Sequence, residues 1–454
     1  MALSVIILAG GTGTRMRSKH PKVLHELAGK SLLEHVIDSV RPLNAKEIFV
    51  VYGHMGDYVR AKMQHCQGIT WIEQKERLGT GHAVQQVLPQ LTVENQVLIL
   101  YGDVPLITTE TLKHLVASTG RDQVGLLTAV VQNPTGLGRI VRDEYLQVDA
   151  IVEEKDATDL QRQIREINTG IYCLPAKRLV EWLPKLTNKN SQGEYYLTDV
   201  VHFARKEHVP INVSKPKAVE EIYGANSRSE LARLERIFQY WQAETLMAGG
   251  VSFADPARID VRGKVTPAQD CWVDANVLFE GTIVMGDDCV IGPNVMLKDV
   301  TLGQGVTIHA NSVIEGAVIE SGAVIGPFAR IRPETHIHQN AHIGNFVEIK
   351  KSSIGAGSKV NHLSYIGDTM MGAKVNIGAG TITCNYDGAA KHATIIEDEV
   401  FIGSDVQLIA PVTVAKGATV GAGTTVIKNV EAGALVINPK IQKQVSGWAR
   451  PRKA

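Results

Sequence analysis

The first residues that could do chemistry form a glycine-rich turn, Leu8-Ala-Gly-Gly-Thr-Gly-Thr-Arg-Met16, with Lys22 shortly after it. Glycines let backbone N–H groups approach a phosphate closely, and Arg15 and Lys22 can neutralise its charge. The turn is not a dinucleotide fingerprint, because Met16 stands where the third glycine belongs after Gly11 and Gly13. Nor is Gly29-Lys30-Ser31 a nucleoside-triphosphate loop, because Leu24 holds the position of its first glycine. A bare glycine-rich turn also serves as plain structure. Asp103 closes the apolar run Gln96-Val-Leu-Ile-Leu-Tyr101, within Tyr101-Gly-Asp-Val-Pro105. One carboxylate together with phosphate oxygens is how magnesium is commonly held, although a strand-end Asp also caps helices. In the other half His362 stands in Val360-Asn-His-Leu-Ser-Tyr365. An imidazole titrating near neutrality suits removal of a proton from an attacking amine. His309, His336, His338, His342 and His392 accompany it, and any of these suits a solvated surface equally well.

These residues must be positioned by two different architectures. Residues 1–226 alternate short apolar runs, Ser4–Leu8, Glu47–Tyr52 and Gln96–Tyr101, with longer mixed segments. That pattern predicts a Rossmann-like α/β domain with a mostly parallel sheet covered on both faces, whose ligands sit at the carboxyl ends of the strands. Leu231, Leu234, Ile237, Phe238 and Trp241 share one helical face, and Gly249-Gly250 stops it, so 227–250 is expected to be a linking helix. From Val251 the period becomes six. Aliphatics fall at Met285, Ile291 and Leu297, and after a step of five at Leu302, Ile308 and Ile314; the run continues through Ile319 to Ile377 and resumes from Ile396 to Val426. One inward aliphatic per six residues, followed by a turn former, describes a short strand and a corner. Three such hexads close a triangular coil, so 251–454 is expected to be a parallel β-helix of nine or ten stacked coils. The phase is lost over Gly378 to His392, which reads as a loop.

Composition excludes several function classes. The 454 residues carry 47 basic and 47 acidic side chains, so no net charge favours nucleic acid or an anionic membrane. No apolar run approaches a membrane span, and Val5–Ala9 is shorter than a signal core. Five scattered cysteines without a CxxC pair predict reduced thiols in a cytoplasm. The 42 glycines and 5% aromatics both fit narrow β-helix coils with glycine corners.

The continuation Pro21-Lys22-Val23-Leu24, with Gln74, Leu78-Gly-Thr-Gly-His-Ala83 and Tyr101–Pro105, resembles the sugar-nucleotide pyrophosphorylase family over about residues 4–226. The hexad repeat resembles the left-handed β-helix of acyltransferases. In this order and length, the whole chain is similar to the bifunctional bacterial N-acetylglucosamine-1-phosphate uridylyltransferases / glucosamine-1-phosphate N-acetyltransferases.

That resemblance implies the substrates UTP, glucosamine-1-phosphate and acetyl-CoA, with Mg²⁺ as cofactor. It places Leu8, Ala9, Gly10, Gly11 and Lys22 on the nucleotide phosphates, Gln74, Gly79 and Thr80 at the uracil, and Tyr101, Gly102 and Asp103 beside ribose and metal. Gly138, Glu153 and Asn168 surround the sugar, and Asn226 joins Asp103 at magnesium. Lys22 and Arg15 carry the charge of uridylyl transfer. In the second half it selects His362 as base and Arg332 and Lys350 for the sugar phosphate. Tyr365, Asn376, Asn385 and Tyr386 line the sugar, the last two also reaching acetyl-CoA. Ala379, Ser404 and Ala422 follow the pantetheine arm, and Lys440 stands at the family's basic CoA contact, next to Pro439. Arg332 and Lys350 are three hexads apart, which independently predicts that they stack on adjacent coils. The resemblance further implies a homotrimer with acetyl-transfer sites at subunit seams. Two other readings use the same residues: a single-activity pyrophosphorylase whose β-helix only oligomerises or regulates, and a β-helix that is a non-enzymatic scaffold.

Overall fold

The computed structural model describes residues 2–11, 13–53, 55–439 and 441–451. The chain forms two compact units, Met1–Phe238 and Gln239–Ala454, which meet in sequence inside the helix Arg228–Ala248. Ser227 and Glu230 cap that helix reciprocally, the Ser227 hydroxyl accepting the Glu230 N–H and the Glu230 carboxylate accepting the Ser227 N–H. Gly250, at φ 99°, ends it. Among the described residues no helix is long and apolar enough to cross a membrane.

In the first unit the predicted apolar runs become the strands Leu3–Ala9, Glu47–Tyr52 and Gln96–Tyr101. Leu3–Ala9 lies between the other two and is parallel to both. Alternate residues feed two separate cores: Ile6, Leu8, Val97 and Ile99 pack on one face, and Val5, Ile7, Leu98 and Leu100 on the other. A sheet covered on both faces requires apolar residues at every strand position, which is why these runs show no alternation. One strand on the main path of the sheet departs from the parallel pattern. Glu166–Pro175 runs antiparallel between Gln96–Tyr101 and Val124–Val130. The chain reaches it through the antiparallel pair Arg139–Arg142 and Val148–Val152, with no crossover of the kind that keeps strands parallel.

The second unit is a stack of parallel coils. One face is an eleven-stranded parallel sheet; the other two are joined in the first coils by long strands such as Val277–Met285 and divide further on. Ladder pairing connects Ile291, Ile308, Ile325, Ile343, Val360, Ile377, Ile402 and Val420 in one line. A second line runs Met285, Leu302, Ile319, Ile337, Ile354, Met371, Ile396 and Val414. All are buried in one continuous core. The stack is eleven strands deep: eight lie within the hexad run, for which nine or ten coils were expected, and Val251–Phe253, Cys271–Val273 and Leu435–Val436 add three beyond it.

The expected break after Ile377 is shorter than the sequence suggests. Ile382–Cys384 is a regular strand, and its register puts Thr383 between Ile366 and Leu408 in the third ladder. A buried hydroxyl residue continues a line that the aliphatic pattern loses, and the excursion from the coil begins only at Asn385. Corners hold left-handed residues, mostly Asn, Asp and Gly, such as Asn294 and Asn311. In the same corner column, however, Phe328, Phe346 and Leu363 take φ values of 55°, 56° and 47°, a conformation that bulky side chains rarely adopt.

Candidate functional sites

In the first unit a cleft of about 440 Å³ opens at the carboxyl edge of the sheet. Leu8, Ala9, Gly10, Gly11, Lys22, Gln74, Gly79, Thr80, Tyr101 and Asp103 line it, ten of the residues singled out in the sequence, and Gly102 lies between two of them in the chain. The glycine turn delivers Lys22 into this cleft. Gly13 sits at φ 60°, and a Cβ there would stand 2.7 Å from Lys22 Cβ, so only glycine allows the two segments to close. Gly79 is constrained in the same way by the Tyr195 carbonyl oxygen, 2.6 Å from its would-be Cβ. Gln74, almost fully buried, donates from Nε2 to the Gly79 carbonyl at 3.1 Å, which fixes its amide at the cleft wall.

The Lys22 ammonium pairs with the Asp103 carboxylate and donates to Asn226 Oδ1 at 2.7 Å. Two hard oxygen donors from distant segments therefore converge on one positive charge. That donor set fits a small oxygen-seeking cation such as Mg²⁺. The Ala225 N–H donates to the Asp103 carbonyl at 3.1 Å, which holds the two segments together.

Gly138, Glu153 and Asn168 meet nearby. The pairing of Arg139 with Val152 sets Gly138 opposite Glu153, whose carboxylate oxygens lie 3.4 Å from the position of a Gly138 Cβ. The Asn168 N–H donates to the Gly138 carbonyl at 2.8 Å. Burial pushes the Glu153 carboxyl above its usual range, with the charges of Asp156, Asp199 and Glu194 adding to the rise. Burial also raises the Tyr101 phenol, helped by Glu153 and Asp103. Arg15 lies elsewhere: it is exposed on the turn Thr14–Met16 and lines a second cleft of about 830 Å³ with Asn168 and Asn226. The Lys22–Asn226 hydrogen bond joins the walls of the two clefts.

In the second unit His362 is exposed at a coil corner, and its Nδ1 lies 3.1 Å from Asn345 Oδ1. An amide oxygen can only accept, so Nδ1 carries the hydrogen and Nε2 is left free to take a proton. Asn345 pairs with His362 across adjacent coils, and the same register carries the line through Ala379, Ser404 and Ala422. His362 and three small residues thus form one column. Asp405 N–H donates to the Ala379 carbonyl and Gly423 N–H to the Ser404 carbonyl, each at 2.8 Å, which confirms that register. At about 4.8 Å per coil the column from His362 to Ala422 is about 14 Å long.

Arg332 and Lys350 also stack on adjacent coils, as the eighteen-residue spacing requires: Ile331 pairs with Ile349, and Arg332 N–H donates to the Ile349 carbonyl at 2.8 Å. Arg332 Nη1 donates to Glu348 Oε1 at 2.9 Å. Tyr365 follows Glu348 in the ladder, and its hydroxyl lies beside Gly367 together with Asn385 Nδ2. Asn376 stands between Lys359 and Phe401 on another face.

Sequence reasoning missed three residues here. Asn345 orients His362. Asp368 accepts a hydrogen bond from Asn385 Nδ2. Lys391 is brought back by the bridge between Tyr386 and Lys391, and the neighbouring Lys350 holds its ammonium below the ordinary lysine value. Tyr386 itself is exposed and donates to the Gly388 carbonyl at 2.6 Å. A step of 17 back from His362 points to Asn345, whereas nothing in the spacing points to Lys391. Lys440 lies outside the described residues.

Comparison with known proteins covers both units. Residues 5–194 match the MobA-like NTP transferase domain, 282–316 the bacterial transferase hexapeptide (six repeats), and 315–414 the GMPPB C-terminal domain. The chain is 52% identical over 452 residues to a bifunctional protein GlmU of Marinobacter nauticus, with 100% of this chain and 99% of that protein aligned. It is 54% identical over 453 residues to the bifunctional protein GlmU of Francisella philomiragia, with both chains fully covered. It is 52% identical over 455 residues to that of Methylococcus capsulatus, covering 100% and 98%.

Proposed function

The chain belongs to the bifunctional GlmU family and is an acetyl- and uridylyltransferase, and from that premise we propose that each unit carries one of the two reactions. In the second unit acetyl passes from acetyl-CoA to the amine of glucosamine-1-phosphate. In the first, N-acetylglucosamine-1-phosphate takes a uridylyl group from UTP and releases pyrophosphate. What supports this division is that each unit has its own cluster: Lys22, Asp103 and Asn226 in one, and the column from Asn345 to Ala422 in the other.

For acetyl transfer, the amine nitrogen attacks the thioester carbonyl and His362 Nε2 takes its proton, with Asn345 holding the imidazole in the required tautomer. The C–S bond breaks, and the thiolate of CoA leaves as the thiol by taking the proton back from His362. Arg332, Lys350 and Lys391 hold the sugar phosphate, while Tyr365, Asn376, Asn385 and Tyr386 shape the sugar site. Ala379, Ser404 and Ala422 present a column of small side chains along which an extended pantetheine arm can lie close to the coil backbone.

For uridylyl transfer, a phosphate oxygen of the sugar 1-phosphate attacks the α-phosphorus of UTP. No side-chain nucleophile is required, and catalysis rests on alignment and charge neutralisation. Magnesium, held by Asp103 and Asn226, supplies part of that neutralisation when bound. Lys22 binds the phosphates beside the backbone N–H groups of Leu8 to Gly11, and Arg15 supplies a second cation from the adjoining cleft. Gln74, Gly79 and Thr80 hold the base, Tyr101 and Gly102 the ribose, and Gly138, Glu153 and Asn168 the sugar.

The enzyme works as a homotrimer through its β-helix. Phe328, Phe346 and Leu363 are 48%, 55% and 63% exposed and form an apolar ridge ending beside His362. The two rings stack with centroids 5.3 Å apart. Large apolar side chains displayed in a strained backbone conformation fit a surface covered by another subunit. The five cysteines are free, and we read the setting as cytoplasmic. Incubating the protein with glucosamine-1-phosphate, acetyl-CoA and UTP, and then omitting each in turn, tests the reading. UDP-N-acetylglucosamine should form only with all three present. Omitting UTP should leave N-acetylglucosamine-1-phosphate, and absence of that intermediate would refute the acetyl-transfer assignment.

A further inference from the structure

Away from both clusters, three metal-ligating side chains meet on the outside of the β-helix. His336 lies in the strand Thr335–Ile337 and His338 directly follows it; the two flank Ile337, which points into the core, so both imidazoles project outward. Glu320 follows Ile319 on the preceding coil, and the pairing of Ile319 with Ile337 sets it against His338. Glu320 Oε1 lies 2.7 Å from His336 Nε2 and 3.0 Å from His338 Nδ1, and the two rings stack with centroids 4.1 Å apart. All three ligand atoms fall within 4.8 Å of one another.

An ion pair between coils needs one histidine, whereas here two ring nitrogens converge on one carboxylate oxygen. The supports around them are those of a chelating site. Glu320 Oε2 accepts the Gln339 N–H at 3.2 Å, which leaves Oε1 for the shared point. His338 Nε2 lies 3.0 Å from Ser353 Oγ on the next coil, the outer hydrogen bond that fixes the orientation of a ligating imidazole.

We propose that Glu320, His336 and His338 bind one divalent transition-metal ion of the Zn²⁺ class, clipping two consecutive coils together. Two imidazoles and one carboxylate select such an ion over Mg²⁺, which prefers all-oxygen sites. Water completes the coordination on the solvent side.

The test uses the full chain, stripped of metal and held in saturating Mg²⁺, titrated with Zn²⁺ against a chromophoric chelator. The expected result is one Zn²⁺ equivalent that the double variant His336→Asn/His338→Asn loses or binds at least about tenfold more weakly. Glu320→Gln should weaken it in the same direction. Retention of acetyl transfer by the variants shows that they are folded, and Zn²⁺ should raise the melting temperature of the wild type but not of the double variant. Asp103→Asn should leave this equivalent in place. Zn²⁺ binding of equal stoichiometry and affinity in wild type and double variant would overturn the proposal, because the ion would then sit elsewhere, for instance on the His309, His342 and His362 neighbours. No Zn²⁺ binding by the wild type would overturn it as well.

Discussion

Thr383→Val sets the hexad rule against the structure. Thr383 holds a ladder position between Ile366 and Leu408, so the repeat pattern alone predicts that an isosteric aliphatic would improve it. Replacing the hydroxyl by a methyl contributes about 0.8 kcal/mol of burial. The hydroxyl, however, accepts the buried Gly367 N–H at 2.7 Å and lies 3.2 Å from the Gly367 carbonyl oxygen. Leaving that N–H unpaired costs about 1–3 kcal/mol, so the net effect is a loss of roughly 0.2–2.2 kcal/mol, centred near about 1 kcal/mol. For a unit of this size the central value lowers the melting temperature by roughly 2–4 °C. Scanning calorimetry of the full chain should show the shift in the transition of the second unit only. Thr383→Ser should recover most of the loss. Because Gly367 lies against Tyr365 and Asn385, KM for glucosamine-1-phosphate should also rise. A Thr383→Val protein as stable as wild type, or more so, would refute the reasoning.

Three further outcomes follow from the same geometry. Gly13→Ala forces a Cβ onto Lys22 at φ 60°, a conformation costing about 1–2 kcal/mol in itself; uridylyl transfer should fall at least about tenfold with acetyl transfer unchanged, and equal rates in both assays would contradict the placement of Lys22. Phe346→Asn puts at a left-handed corner a residue that tolerates it, like Asn311 two coils earlier, while removing the exposed ring; sedimentation should show folded protein that no longer trimerises, and an intact trimer would exclude this ridge from the seam. Glu153→Gln addresses pH: the folded carboxyl titrates above its unfolded value of 4.5, so it stabilises the fold at low pH and loses that contribution as pH rises from about 4.5 through the raised folded value. The variant's stability relative to wild type should therefore increase over that window, and a gain that shrinks with rising pH would contradict the sign.

Much of the fold was legible because a β-helix repeats one simple physical demand. Each hexad places one aliphatic inward, so Ile291 through Val420 could be assigned to ladders without knowing the coil geometry. Arg332 and Lys350 were legible as a stack for the same reason. What escaped depends on register between coils, where steps of 17 and 18 residues mix. Asn345 lies 17 residues before His362, and its role appears only when the two strands pair. Thr383 escaped because a hydroxyl replaced the aliphatic signal, and Lys391 because a bridge in an irregular segment returns it to Lys350. In the first unit the strand runs were clear, but the antiparallel course of Glu166–Pro175 was not, since an apolar run carries no direction. Asn168 and Asn226 were singled out only through the family resemblance, since nothing in their spacing marks them, and the fold brings them to Gly138 and Lys22.

Two independent reactions on one chain make up the central claim, and paired single variants test it most directly. His362→Ala should abolish acetyl transfer to glucosamine-1-phosphate and leave uridylyl transfer to N-acetylglucosamine-1-phosphate at the wild-type rate; Asp103→Ala should do the reverse. Loss of both activities in either folded variant would contradict it.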